Sequence, residues 1–232
     1  MKRHNHGFLQ VLYEDNHLIA INKPAGYLVQ GDITGDKPLS DVVKMYIKDR
    51  YNKPGDVFLG TIHRLDRPVS GVLLFARTSK AVTRMNALFR DREIHKTYWA
   101  VVAKRPDPLE GHIANYLLKD GKRNYVKIYE KLGRRTAKAK LGELDYRLIG
   151  EIGNNFLLEV KPLTGRPHQI RAQLADMGCP IIGDVKYGSK NKVEDGSILL
   201  HCQTMSFVHP VKKEEVVISV NPPEGQIWDL FS

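Results

Sequence analysis

The fold is decided first by residues 8–26, "FLQVLYEDNHLIAINKPAG". Two short apolar runs, 8–13 and 18–22, flank the polar stretch "EDNH", and "KPAG" closes the second run with a proline and a glycine. Apolar runs this short, bounded by turn residues, predict a β-hairpin. The same grammar recurs downstream. Strands are expected at "VLLFA" (72–76), "TYWAVVA" (97–103), "NYVKIYE" (124–130), "LDYRLI" (144–149), "FLLEVK" (156–161), 197–210 and 214–220.

Three segments carry helical spacing instead. "LSDVVKMYIKDRY" (39–51) repeats Val42, Val43, Tyr46 and Ile47 on one face, with Ser40 as the expected cap. "TSKAVTRMNALFRDR" (78–92) repeats Val82, Met85, Leu88 and Phe89, with Ser79 as the expected cap. In "RPHQIRAQLADMG" (166–178), Pro167 suits a first turn, Ile170, Leu174 and Met177 share a face, and Gly178 ends the run. Many sequential strands and few helices predict an α+β fold: a mixed, largely antiparallel central sheet flanked by helices and loops. Clean βαβ alternation and a glycine-rich phosphate loop are both missing, which argues against a doubly wound nucleotide-binding fold.

The 232 residues, 42% hydrophobic, suffice for one domain, 1–232, or one domain with two lobes. The formal net charge is +10, which points to a polyanionic partner, nucleic acid being the commonest. Much of it sits in residues 119–140, where nine Lys or Arg face only Asp120 and Glu130. That stretch reads either as a solvated face or as a basic hairpin that grips RNA. Cys179 and Cys202 form no CxxC pair, and neither they nor His4 and His6 offer four-ligand metal spacing, so no metal is expected. No apolar stretch approaches a transmembrane span and no signal peptide is visible, so a cytoplasmic protein with no membrane partner is expected.

Three features could carry chemistry. In "HRLDRPVSG" (63–71) one acid, Asp66, stands between Arg64 and Arg67. By itself it reads first as a turn-forming acid paired with a neighbour; alternatively it is a carboxylate kept ionised by cations for use as nucleophile, base or electrostatic stabiliser. In "TGRPHQIR" (164–171), Arg171 follows Ile170 and is placed at the edge of the core, where it could meet a buried acid. Tyr98 in "KTYWA" is either a core aromatic or the wall of a base-binding site.

In combination, "YEDNHLIAINKPAG", "HRLDRPVSG", "HKTYWAVV", "LTGRPHQIR", "PIIGDVKYG" (180–188) and "LLHCQTMSFVHP" (199–210) resemble the RluA-type pseudouridine synthases over residues 9–220 or so. The resemblance implies a pseudouridine synthase fold with an active-site cleft across the sheet, and an isomerase that converts uridine to pseudouridine in ribosomal or transfer RNA. It implies no cofactor, since the reaction is an internal rearrangement, and a monomer. It assigns Asp66 as the essential aspartate, Arg171 as its partner, Tyr98 as the aromatic packed on the target base, and Arg64 as the arginine that fills the place of the flipped nucleotide. Lys23 and Pro24 match the family's KPxG, read as support for the site. Val69 stands where the family usually has threonine, keeping the shape and losing a hydroxyl. The S4-type RNA-binding module of many relatives is not expected here. The alternatives are a non-catalytic RNA-binding or RNA-folding protein on the same scaffold, or a hydrolase with a carboxylate nucleophile that would need a second acid beside Asp66.

Overall fold

The computed structural model describes residues 9–31, 35–225 and 227–231. The predicted start of the first strand at Phe8, and His4 and His6, lie outside the described residues. Among those described, eleven β-strands and three α-helices form two compact units.

The first unit comprises residues 1–94 and 204–221. The predicted hairpin is present as β1 (Gln10–Glu14) and β2 (Leu18–Lys23), antiparallel with Gln10 opposite Asn22. Short β3 (Gly60–Thr61) and long β4 (Ser70–Ala76) follow, and β4 pairs antiparallel with both β2 and β3. Residues 18–21 and 72–76 have no exposed surface. This explains why they read as unbroken apolar runs: strands covered on both faces have no polar face to alternate. The covering helices include α1 (Leu39–Arg50), which buries Leu39, Val43 and Ile47, and α2 (Ser79–Arg90), which buries Ala81 and Met85. The end of β10 (Leu200–Val208) and β11 (Glu215–Ser219) complete this unit as an antiparallel pair.

The second unit comprises residues 95–203 and 222–232. Its sheet runs in the order β5 (His95–Val102), β9 (Asn155–Pro162), β8 (Lys140–Ile152), β6 (Glu110–Asp120) and β7 (Tyr125–Tyr129). All four of these pairings are antiparallel. Helix α3 (Gln169–Asp176) buries Ile170 and Leu174. The sequence pattern predicts β7 but not its partner β6. Cys179 and Cys202 are buried. No helix among the described residues is long and apolar enough to cross a membrane.

Three helix starts differ from expectation. Ser40 lies inside α1; the N-cap is Pro38, whose fixed φ already holds the extended geometry an N-cap needs. Ser79 is the first residue of α2; Thr78 caps it, its hydroxyl accepting from the Ala81 N–H at 3.1 Å. Pro167 precedes α3 rather than opening it, because His168 takes a left-handed conformation (φ 50°) as N-cap.

The β1–β2 turn hangs on Asp15. Its Oδ1 accepts from the N–H groups of His17 and Leu18, each at 2.8 Å; Oδ2 accepts from the Tyr13 hydroxyl and lies 3.1 Å from Lys212 Nζ. His209 Nε2 lies 3.0 Å from the same oxygen, while Nδ1 accepts from the N–H groups of Val211 and Lys212. Burial acts to raise the Asp15 pKa, but the His17 and Leu18 amides, with Lys212 and Tyr13, outweigh it and lower the carboxyl to about 2. A carboxyl depressed in the folded state stabilises it above the unfolded pKa, near 4, and that contribution is lost as pH falls towards 2. Asp15→Asn should therefore cost about 2 kcal/mol in urea unfolding at neutral pH. The same substitution should flatten the acid limb of stability between about pH 4 and 2.

Candidate active site

Residues 63–69 link β3 to β4, and backbone contacts rather than regular structure hold them. His63 Nε2 accepts from the Leu74 N–H at 2.9 Å, anchoring the start of the loop to β4. The Val69 N–H donates to the Asp66 carbonyl at 3.0 Å, closing a turn that presents the half-buried Asp66. Leu65 and Val69 are buried, so the site of the family's threonine is here an apolar anchor. Arg64 is exposed.

Beneath this loop lies Lys23, at 0% exposure. Its Nζ donates to the carbonyls of Pro24 (3.0 Å), Arg67 (3.1 Å) and Val69 (2.6 Å). Burial lowers the ammonium to about 7, with Asp66 opposing that shift and Arg67 adding to it. An ammonium has three N–H donors and a neutral amine only two, so a cage of three carbonyls favours the charged form. A cation here both ties the loop down and sets positive charge near Asp66. Arg67, by contrast, is a brace: its Nε donates to the Gly26 carbonyl at 2.9 Å, its own carbonyl accepts from the Gly26 N–H, and Nη1 pairs with Asp36 at 2.8 Å.

Tyr98 and Arg171 lie in the second unit. Tyr98 is buried in β5, opposite Val160 of β9. Lys96 lies two residues earlier on the same strand face. A Cβ placed on Gly165 would stand 3.9 Å from Lys96 Nζ, so that ammonium borders the "TGR" turn. The turn is knitted by side chains: Gln169 Oε1 accepts from the Thr164 hydroxyl (2.7 Å) and the Arg166 N–H (2.9 Å), and Gln169 Nε2 donates to the Glu143 carbonyl at 2.9 Å. Arg166 Nε reaches the Leu141 carbonyl at 2.8 Å. One turn on, Gln173 Nε2 donates to Asn115 Oδ1 and the Gly142 carbonyl. The polar density of "GRPHQIR" is thus mostly a device for seating α3 on β8 and β6.

Arg171 is only 6% exposed and forms a bidentate pair with Asp184, itself 1% exposed: Nε to Oδ2 at 2.7 Å and Nη2 to Oδ1 at 2.9 Å. The acid that the resemblance pairs with Arg171 is Asp66; Asp184 is a partner that the sequence does not mark. Asp184 is held in a tight turn in which its carbonyl accepts from the Tyr187 and Ser189 N–H groups, each at 3.0 Å. Gly183 makes the turn possible: its φ is +91°, and a Cβ there would collide with the Ser197 carbonyl. The Tyr187 ring lies 5.2 Å from the Arg171 guanidinium. Both partners sit in "PIIGDVKYG", whose packed Gly-Asp and Tyr-Gly pairs were the available signal.

Known proteins resemble this chain in sequence and in fold. A family described as RNA pseudouridylate synthase matches residues 17–176. A tRNA pseudouridine synthase C of Vibrio parahaemolyticus is 31% identical, covering 96% of this chain and 95% of its own. A ribosomal large subunit pseudouridine synthase C of Rickettsia prowazekii is 33% identical, covering 92% of this chain and 68% of its own. The structure of human RNA pseudouridylate synthase domain containing 4 has the same fold (TM-score 0.77, 24% identity, 96% and 92% covered). The chain belongs to the RNA pseudouridylate synthase family, in its RluA-type branch, and is an isomerase acting on uridine in RNA.

Proposed function

We propose that this enzyme extrudes a uridine from structured transfer or ribosomal RNA and isomerises it with Asp66 as the essential carboxylate. The observation that carries the assignment is the Lys23 cage, which fixes the Asp66 loop from below and places a buried cation near its acid. Relatives named for both RNA classes make both candidates.

Extrusion costs a few kcal/mol, because the base leaves its stack. Arg64, exposed and planar, is assigned to the vacated place, where a guanidinium can stack and contact phosphate together. Asp66, ionised, attacks the sugar or the base ring as the N1–C1′ bond breaks. The uracil turns, C5 bonds to C1′, the bond formed to the Asp66 carboxylate breaks and frees it, the proton leaves C5, and N1 gains one. Atoms and electrons balance without an external reagent, so the proposal includes no cofactor. Tyr98 is assigned to the base as a packing wall that retains the detached uracil and keeps water from the reactive sugar. Arg171, fixed by Asp184, is assigned to orient Asp66.

All nine cations of residues 119–140 are exposed, and they lie on or beside the β6–β7 hairpin and the start of β8. We assign them to the phosphate backbone. The enzyme is proposed to work in the cytoplasm as a monomer on its RNA, as a single catalytic domain.

Carbodiimide labelling with primer-extension mapping, on RNA from a strain lacking the gene, tests the reading. Wild-type enzyme should create new stops, and Asp66→Ala should create none while still binding RNA; stops made by Asp66→Ala would overturn the assignment. Replacing Lys122, Arg123 and Lys127 with glutamate should weaken RNA binding. It should also reduce the slope of log affinity against log salt by about 0.7–0.9 for each phosphate no longer neutralised. A filter-binding series across salt concentrations measures that slope.

A further inference from the structure

The outer edge of β7 carries a connection that the assigned chemistry leaves unused. Among the described residues β7 ends its sheet, with β6 on its only paired side. Such an edge strand presents backbone groups that need covering. Two successive residues of the 185–187 turn cover it. The Tyr187 hydroxyl accepts from the Val126 N–H at 2.9 Å, and Lys186 Nζ donates to the Asn124 carbonyl at 3.1 Å. The same hydroxyl lies 2.8 Å from Nδ1 of His168, the N-cap of α3. Tyr125 of β7 stacks on the Tyr187 ring, with centroids 4.7 Å apart and planes 22° apart, and that ring also borders the Arg171 guanidinium at 5.2 Å. One side chain therefore touches the edge strand of the basic hairpin, the cap of α3 and Arg171.

The buried apolar cluster that joins hairpin and helix consists, among the described residues, of Leu117, Val126, Ala172 and Tyr187. Beside it a cavity of about 310 Å³ opens, lined by Tyr125, Ile128, Ala172, Ala175 and Asp176 among others. Across this seam the Tyr187 hydroxyl links the Val126 N–H of β7 to His168 at the start of α3. Burial raises the phenol to about 12, so it stays a neutral hydroxyl, able to accept and donate, across the working pH range.

We propose that Tyr187 is a positioning residue that couples RNA held on the β6–β7 hairpin to the orientation of Arg171. Phosphates drawn to Lys122, Arg123 and Lys127 load β7. The load passes through the Val126 N–H to the Tyr187 hydroxyl, and the ring carries it to the guanidinium. The hairpin then governs the rate of isomerisation as well as the affinity for RNA. This rests on the reading of Arg171 as a site residue.

Tyr187→Phe keeps the ring and removes the hydroxyl. With the full chain and RNA from a strain lacking the gene, its RNA affinity should stay within about twofold while the single-turnover rate at saturating RNA falls about tenfold, the scale of one hydrogen bond removed. Lys122→Ala combined with Arg123→Ala should lower both affinity and saturated rate in the wild-type background, but only affinity in the Tyr187→Phe background. A wild-type saturated rate for Tyr187→Phe overturns the coupling, as do rate reductions that simply multiply. If Tyr187→Phe does not fold, Lys186→Ala removes the second clip from the surface and should slow the saturated rate without changing the melting temperature; an unchanged rate overturns the coupling. Arg171→Lys is measured alongside. Full activity in Arg171→Lys refutes the site reading itself, whereas inactivity there with full activity in Tyr187→Phe refutes only the coupling.

Discussion

Two cations removed from water organise this protein. A buried charge without partners costs several kcal/mol, so the chain around each must supply them. Lys23 is satisfied by three carbonyls, two of them from residues 67 and 69, which obliges the loop carrying Asp66 to fold over it. Arg171 is satisfied by a two-oxygen carboxylate, which obliges residues 183–189 to turn tightly beneath α3. In each compact unit a candidate catalytic side chain is thus held by a demand for charge compensation. Apolar packing alone, being non-directional, would not aim it.

The strands were legible because burial on both faces leaves unbroken apolar runs, as at 18–21 and 72–76, and the helices because their apolar residues recur at helical spacing. What was hidden depended on neighbours distant in sequence. β6 escaped notice although Asn115 and Leu117 are buried on alternate positions; the charges around it read as surface, and its register is set by β8, well along the chain, with Leu117 opposite Lys140 at one end. Helix starts slipped by one or a few residues because capping is decided by local backbone geometry. Thr78 and Ser79 are chemically equivalent candidates, and the extended φ and ψ of Thr78 select it. Histidine is among the side chains that tolerate a left-handed backbone, but that tolerance does not mark His168 in advance as the N-cap; beside it the Gln169 side chain bonds Thr164 and Arg166.

The candidate site shows the same division. Its residues stood out as polar concentrations, but their division of labour did not. Arg67 could have served Asp66 by proximity in sequence; instead it binds Gly26 and Asp36 and stabilises the loop. The arginine and glutamine before Arg171 look like ligands for a substrate and act as fasteners for α3. For Asp184 the Gly-Asp pair in "PIIGDVKYG" signals a turn, but nothing there marks its carboxylate as buried. Only the folded chain brings it against the helix 13 positions earlier.

The Arg171–Asp184 pair also changes what Arg171 can contribute. A guanidinium already neutralised by a buried carboxylate exerts a weaker net pull on a second acid than a bare cation would, since the field of Asp184 opposes its own. What survives neutralisation is direction: Nε and Nη2 both bond to Asp184, which restricts the plane of the fork. On the proposed reading, Arg171 serves geometry more than attraction. On the proposed reading, the attraction for a polyanion comes from charges left in water, the nine exposed cations of residues 119–140, where Coulomb forces reach the phosphates before any contact forms. Buried charge then aims the chemistry and exposed charge gathers the RNA, and Tyr187, in contact with both the hairpin and the guanidinium, is where the two meet in that proposal.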